Sequence, residues 1–298
     1  MAAYTIVQLD DVTLAAAPPL DGMDLMSPFV WCEGDRYRIM VRGVPRPLLA
    51  TSPTGIIWCG DSTDGLAFRM DDRPAIVPGP DPLDAGGCED PTVLIGARKN
   101  YLVFYTGVDA AREQGALLLA EGPDMNRLTK QAVTLKAAPG AGNIKEATLA
   151  QTSKGDWRLF YEYAAHDASR IGLATGPTPD GPWTVVDDPF GIREDSWDNW
   201  HLSTGPIVAI GDADPVMFYN GATHDARWRI GWISFDRDYS RVTGRGLEPL
   251  VVPPPAETRT DTDIAFAASA VVENGLVSLY FSVEDRKLRR ARVRRYGQ

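Results

Sequence analysis

Hydrophobic and polar positions alternate with period two along most of this chain, and sustained stripes of period 3.6 are absent. Such a pattern predicts short, half-buried strands. The strands come in sets. Apolar-aromatic cores recur as Tyr37–Val44 (YRIMVRGV), Tyr101–Val108 (YLVFYTGV), Trp157–Ala164 (WRLFYEYA), Pro215–Ala222 (PVMFYNGA) and Val277–Glu284 (VSLYFSVE). With Met40, Phe104, Phe160, Phe218 and Tyr280 taken as equivalent, the spacings are 64, 56, 58 and 62 residues. A weaker echo follows each core, at Pro47–Thr51, Leu117–Glu121, Gly172–Thr175, Arg229–Ile233 and Leu288–Val293. Polar turns such as Glu33-Gly34-Asp35, Lys154-Gly155-Asp156 and Glu273-Asn274-Gly275 punctuate the repeats. Repeats of this length, each with several short strands, predict an all-β fold: a single five-bladed β-propeller domain over residues 1–298. Extra length at Ile56–Pro82 and Arg241–Asp261 is expected to form loops over one face. The strand-like run Tyr4–Leu9 is expected to complete the last blade beside Leu288–Val293 and close the ring.

A propeller aims its innermost strands at one funnel, so function is sought at a shared phase of successive repeats. Fourteen residues before the central Phe stand Asp90, Glu146 and Thr204, in the contexts Gly87-Cys88-Glu89-Asp90-Pro91, Asn143-Ile144-Lys145-Glu146 and Ser203-Thr204-Gly205-Pro206. An apolar run follows each. Burying Glu89, Asp90 and Glu146 without partners is costly, so they are expected to be paired or to face water in a pocket. Loop capping or pairing with Lys145 would explain one such repeat more easily than three.

Composition narrows the class. A formal net charge of −10 disfavours binding to nucleic-acid phosphates. The basic stretch Arg286–Arg295 reads as a terminal strand with Leu288, Ala291 and Val293 packed and its arginines in solvent. Three cysteines at unpatterned spacing imply no disulfide framework, and Cys88, beside two acids, reads as a small buried residue. The beginning MAAYTIVQLDD lacks a basic segment followed by an apolar one, and no run is long enough to span a membrane; a soluble cytoplasmic protein without a membrane partner is expected. His166, His201 and His224 fall in separate segments, and Asp261-Thr262-Asp263 reads as a solvated turn, so neither a metal nor another cofactor is implied. Trp58, Trp197 and Trp200 lie in loop-like segments, where a ring can stack on a sugar or pack between blades. The polar-aromatic run Asp195–His201 favours a sugar-lined rim, with Trp200 and His201 as candidate contacts.

GCEDPTVL, preceded by DSTDGLAF and followed by YLVFYTGV, resembles glycoside hydrolase family 130. The resemblance continues in order through GNIKEATL, WHLSTGP, VMFYNGA and DIAFAASAVVENGLVSLYFSVED, spanning nearly the whole chain. It implies a five-bladed propeller acting on β-linked mannosides, by phosphorolysis or hydrolysis, and often assembled into homo-oligomers. It also implies that Asp90 is the general acid, acting through a sugar hydroxyl, with sugar contacts near Ser27, Arg42, Asn220 and Asp285. Asp64, Glu89, Lys145 and Asp263 join these as candidate contacts.

The departures carry information. Cationic positions that hold phosphate in the family's phosphorylases align here with Thr92, Glu162, His201 and Asn220, leaving Lys145 as the retained cation. A phosphate dianion needs charge-assisted donors, which one lysine beside two glutamates supplies poorly. The expectation is therefore an inverting hydrolase of an oligosaccharide: Asp90 protonates the leaving oxygen while Glu162 or Glu146 activates water. The alternatives are a phosphorylase with a rearranged anion site (Lys145, Arg42, His201, Arg193), a five-bladed arabinanase-like or xylosidase-like glycosidase, and a non-catalytic sugar-binding propeller.

Overall fold

Two-residue turns set the strand registers. Asn274 and Gly275, with φ of 51° and 74°, close the hairpin in which Glu273 faces Leu276. Gly34 (φ 63°) does the same where Glu33 faces Arg36. The computed structural model describes residues 3–15, 18–96, 100–138, 142–258 and 262–296, and among them the regular structure is strand, apart from one 3-10 turn at Leu20–Gly22.

The strands form successive antiparallel meanders. Met23–Glu33, Arg36–Pro45, Ile56–Ser62 and Ala67–Met70 make the first sheet. Gly87–Ile95, Tyr101–Val108, Gly115–Gly122 and Thr129–Lys136 make the second, and Ile144–Gln151, Trp157–Ala165, Ala168–Gly176 and Thr184–Val186 the third. The fourth is split lengthwise: His201–Ser203, Asn220–Ala222 and Trp228–Ile230 pair in one half, and Ile207–Val208, Val216–Met217, Ile233–Phe235 and Val242–Arg245 in the other. Pro206, which has no N–H to donate, lies at the break. The last meander is Ala265–Glu273, Leu276–Val283 and Lys287–Tyr296.

Ala3–Ala15 pairs antiparallel with Lys287–Tyr296, as the terminal pattern predicts, and then runs parallel to Ala67–Met70. It therefore stitches the last sheet to the first. The two segments expected to be loops contain regular outer strands: Ile56–Ser62 and Ala67–Met70 in one, Val242–Arg245 in the other. Trp58 accordingly sits in the core, not on a loop.

Core residues cluster at the seams. Met40 and Cys59 pack with Val103 and Tyr105, Phe104 with Ile144 and Leu159, and Phe160 with Met217 and Ile233. Phe218 packs with Ala265 and Leu279, and Tyr280 with Ile39 and Phe68. Each cluster joins one sheet to the next, and the last returns to the first, giving a propeller-like arrangement. Met40, Phe104, Phe160, Phe218 and Tyr280 are all fully buried, as their shared phase requires. In the terminal strand Leu288, Ala291 and Val293 are buried as expected. Its arginines are not simply solvated: Arg290 is buried against Asp10, and Arg292 pairs with Glu273.

Candidate active site

The innermost strands lose register at one shared place. The slip falls between Met26 and Phe29, between Glu89 and Thr92, between Lys145 and Ala147, and between Ala267 and Ser269. In the fourth sheet the ladder stops after Ser203 and resumes at Ile207. Such bulges re-aim side chains. The displaced residues Ser27, Asp90 and Glu146 have φ of 52°, 50° and 50°, a left-handed conformation that is uncommon outside glycine and clusters at functional sites.

Just past the bulge, Thr92, Thr148 and Ser269 stand opposite Phe104, Phe160 and Tyr280. Each closes a seam. Thr92 Oγ1 donates to Ala147 O (2.6 Å), Thr148 Oγ1 to Gly205 O (3.0 Å), and Ser269 Oγ to Pro28 O (2.7 Å) while accepting from Val30 N. Thr92 thus acts as a fastener between sheets.

The bulges open on a cavity of about 440 Å³. Ser27, Arg42, Glu89, Asp90, Glu146 and Asp285 line its polar side; Met26, Leu48 and Phe266 contribute to its apolar side. Larger clefts of about 580 and 690 Å³, beside Ala3–Ala15 and around Trp197, contain none of these carboxylates.

Ser27 Oγ donates to Asp90 Oδ1 at 2.6 Å. Arg42 Nη2 donates to Glu89 Oε1 at 2.7 Å, its Nη1 lies 3.6 Å from Asp90, and Nε and Nη2 hold the Thr54 carbonyl at 3.1 and 2.9 Å. Lys145 Nζ is 3.6 Å from Glu89 Oε2, a buried oxygen that accepts no hydrogen bond from the protein. Burial works against the charge of Arg42 and Lys145, yet the surrounding carboxylates raise both above their ordinary values. Both cations stay charged, and both are engaged by Glu89.

Glu146 is pushed well above the usual carboxylate range, first by burial and then by the negative charges of Asp90 and Glu162. A hydrogen bond to Asp90, which only the protonated acid can donate, adds to the shift, and Lys145 opposes it. Glu162 faces Lys145 across the strand pair and accepts from Ser169 Oγ at 2.9 Å. Burial raises it too, against the pull of the Ser203 hydroxyl, Lys145 and Ser169. The site therefore contains one carboxyl that holds its proton and another, beyond Lys145, made more basic than an exposed glutamate.

Other sequence candidates lie elsewhere. Asp64 is in a turn outside the cavity, where its carboxylate accepts from the backbone N–H of Leu66 and Ala67 and from Ser62. Asn220 is fully buried: its amide donates to Thr204 O and Ala267 O and accepts from Ala267 N, tying the fourth sheet to the fifth. Asp263 pairs with Arg229 at 2.7 Å. Asp261 lies outside the described residues. Trp200 and His201 sit half-buried on the fourth sheet; Trp200 packs against His224, and His201 Nδ1 accepts from Ser169 N. Arg193, a candidate for anion binding, is held by the buried carboxylate of Asp198 together with Arg245.

Sequence reasoning missed Arg112. Its guanidinium holds the carbonyls of Leu49, Ala50 and Ser52, clamping the loop that carries Leu48 and Thr54 to the cavity. An arginine in a turn gave no signal of this contact.

No family model matches the chain, and no curated protein sequence matches it. Solved structures do. The β-1,2-mannobiose phosphorylase of Listeria innocua, solved with β-1,2-mannobiose, superposes with TM-score 0.75 at 18% identity, covering 93% of this chain and 92% of that one. A structure from a study showing that the GH130 family of mannoside phosphorylases contains glycoside hydrolases targeting β-1,2 mannosidic linkages in Candida mannan gives TM-score 0.78 at 18% identity, over 97% and 94%. The mannose phosphorylase MPT-4 of Leishmania mexicana, solved with a phosphate ion, gives 0.69 at 13% identity, over 96% and 88%. Likeness at such low identity speaks to architecture: this chain is folded as those mannoside phosphorylases and glycoside hydrolases are.

Proposed function

We propose that this protein is a glycoside hydrolase that cleaves a β-linked mannoside oligosaccharide with inversion, water being the nucleophile, and that residues 1–298 form one propeller of five blades. The observation that carries the reading is the charge balance of the cavity. Four carboxylates (Glu89, Asp90, Glu146 and Asp285) and one cation, Arg42, line it; Lys145 and Glu162 lie beside them, and Glu89 engages both cations. Even with Glu146 protonated the surroundings repel a phosphate dianion, while suiting a neutral sugar and a water molecule.

Asp90 and Glu146 share the acid's role. Asp90 faces the leaving oxygen, directly or through a sugar hydroxyl, and Glu146 keeps a proton available in the pair. Glu162, on the next strand beyond Lys145, takes the proton of the attacking water; burial strengthens it as a base, and Ser169 orients it. Inversion requires acid and base roughly 6.5–9.5 Å apart, leaving space for that water. Ser27, Arg42, Glu89 and Asp285 complete the polar wall.

Phosphorolysis is the second reading, supported by the two phosphorylases among the structural relatives. Incubation with β-1,2-mannobiose and other β-mannosides, with and without inorganic phosphate, separates the two. Release of free mannose at a phosphate-independent rate, with the α-anomer appearing first by NMR, supports hydrolysis. A sugar 1-phosphate formed only with phosphate refutes it.

A further inference from the structure

The second and third sheets bring Glu89, Asp90 and Glu146 to the cavity, whereas the fifth, with the fourth packed against it, brings a ring as well as Asp285. Phe266 lines the cavity, and its ring meets Trp228 edge-on with centroids 5.3 Å apart. Trp228 in turn stacks on His201, at 5.4 Å and 29°. All three side chains are half-buried, so the strip keeps an accessible surface. It is also anchored. Trp228 N donates to Asp263 O, and Trp228 bridges Ile264, itself a cavity residue. His201 accepts from the backbone of Ser169, whose hydroxyl holds Glu162. Burial, Arg170 and His224 lower the pKa of His201, keeping its ring neutral near pH 7.

Rigid, partly exposed aromatic faces beside a polar pocket suit a ligand that is apolar on one face and hydroxylated at its edge. A pyranose ring has that character. We propose that Phe266, Trp228 and His201 form a stacking platform for sugar units extending out of the cavity past Glu162, so that the protein selects a glycan chain over a glycoside with a small aglycone. This rests on the hydrolase reading for the reaction, but not for the binding. The rings provide contact without charge, so the platform adds to substrate and transition state alike and acts on KM rather than kcat.

The test is the chain-length dependence of KM for β-1,2-linked manno-oligosaccharides of two, three and four units. In the wild type KM falls with length. Trp228→Leu flattens that trend, raising KM for the tetrasaccharide about tenfold while kcat stays within about twofold, and Trp228→Phe recovers part of the loss. The same length dependence in Trp228→Leu as in the wild type overturns the proposal. A readout that needs no variant is oxidation of Trp228 by N-bromosuccinimide, mapped by mass spectrometry. Bound tetrasaccharide should slow it several-fold, and unslowed oxidation at saturating tetrasaccharide overturns the platform. If the wild type cleaves none of these sugars, the reaction assignment fails by itself. The platform is then read by calorimetric titration with neutral manno-, cello- and xylo-oligosaccharides. Binding that weakens in Trp228→Leu supports it, and absence of binding by the wild type overturns it.

Discussion

Asn220→Ala separates a structural role from a sugar-binding one at a position the sequence marks as a ligand. The side chain is fully buried and makes three hydrogen bonds, one within the fourth sheet at 2.9 Å and two across the seam to Ala267 of the fifth at 3.2 and 2.7 Å. Truncation removes all three and strands the Ala267 N–H and two carbonyls. At about 1 kcal/mol net per bond, the loss is about 3 kcal/mol. In a chain of this size that lowers the melting temperature by roughly 6 °C. Asn220→Asp is expected to be worse, because it keeps the acceptor for Ala267 N–H but sets a buried carboxylate against two carbonyl oxygens. Calorimetric melting gives the stability, and KM toward β-1,2-mannobiose gives the binding, with a change of less than about threefold expected. An unchanged melting temperature with a strongly raised KM would show that Asn220 binds substrate and that its seam contacts are idle.

Three further outcomes follow from the site. Asp90→Asn is expected to keep the melting temperature within a few degrees while lowering turnover roughly 10²–10⁴-fold, the usual range for a lost general acid; undiminished turnover refutes the assignment. Glu146→Gln is expected to stabilise the protein at neutral pH. The folded-state value of Glu146 lies above the ordinary 4.5, so its contribution is fully present below 4.5 and is lost as pH rises through the raised value. The variant's advantage in melting temperature should therefore grow between pH 4.5 and 8, and an advantage independent of pH contradicts the shift. Arg112→Ala is expected to raise KM several-fold with little change in melting temperature, by freeing the loop that carries Leu48 and Thr54; an unaltered KM shows that the loop holds without its clamp.

The architecture was legible because it is written in local pattern. Period-two alternation, two-residue turns and a repeat near sixty residues each reflect contacts between neighbouring strands. The phase of the site was legible for a similar reason: Glu89-Asp90 and Lys145-Glu146 interrupt apolar strands where the bulges fall. What escaped the sequence depends on direction and distance. Arg42 grips Glu89 47 positions away, and Arg112 reaches a loop 60 positions back; no periodicity encodes either. Asn220 and Asp64 share the composition of ligands, but one points across a seam and the other into its own turn. Trp58 read as a loop residue because its segment breaks the repeat length, although the chain spends that length on two more strands.

The pairing of Ala3–Ala15 with Lys287–Tyr296 also governs when the cavity can form during synthesis. Ser27 and Arg42 leave the ribosome well before Asp285 and the strand that clasps Ala3–Ala15. Intermediate meanders can cover one another as they emerge, yet the seam between the last sheet and the first stays open until Lys287–Tyr296 arrives. A chain cut short before Lys287 is thus left with an exposed apolar edge.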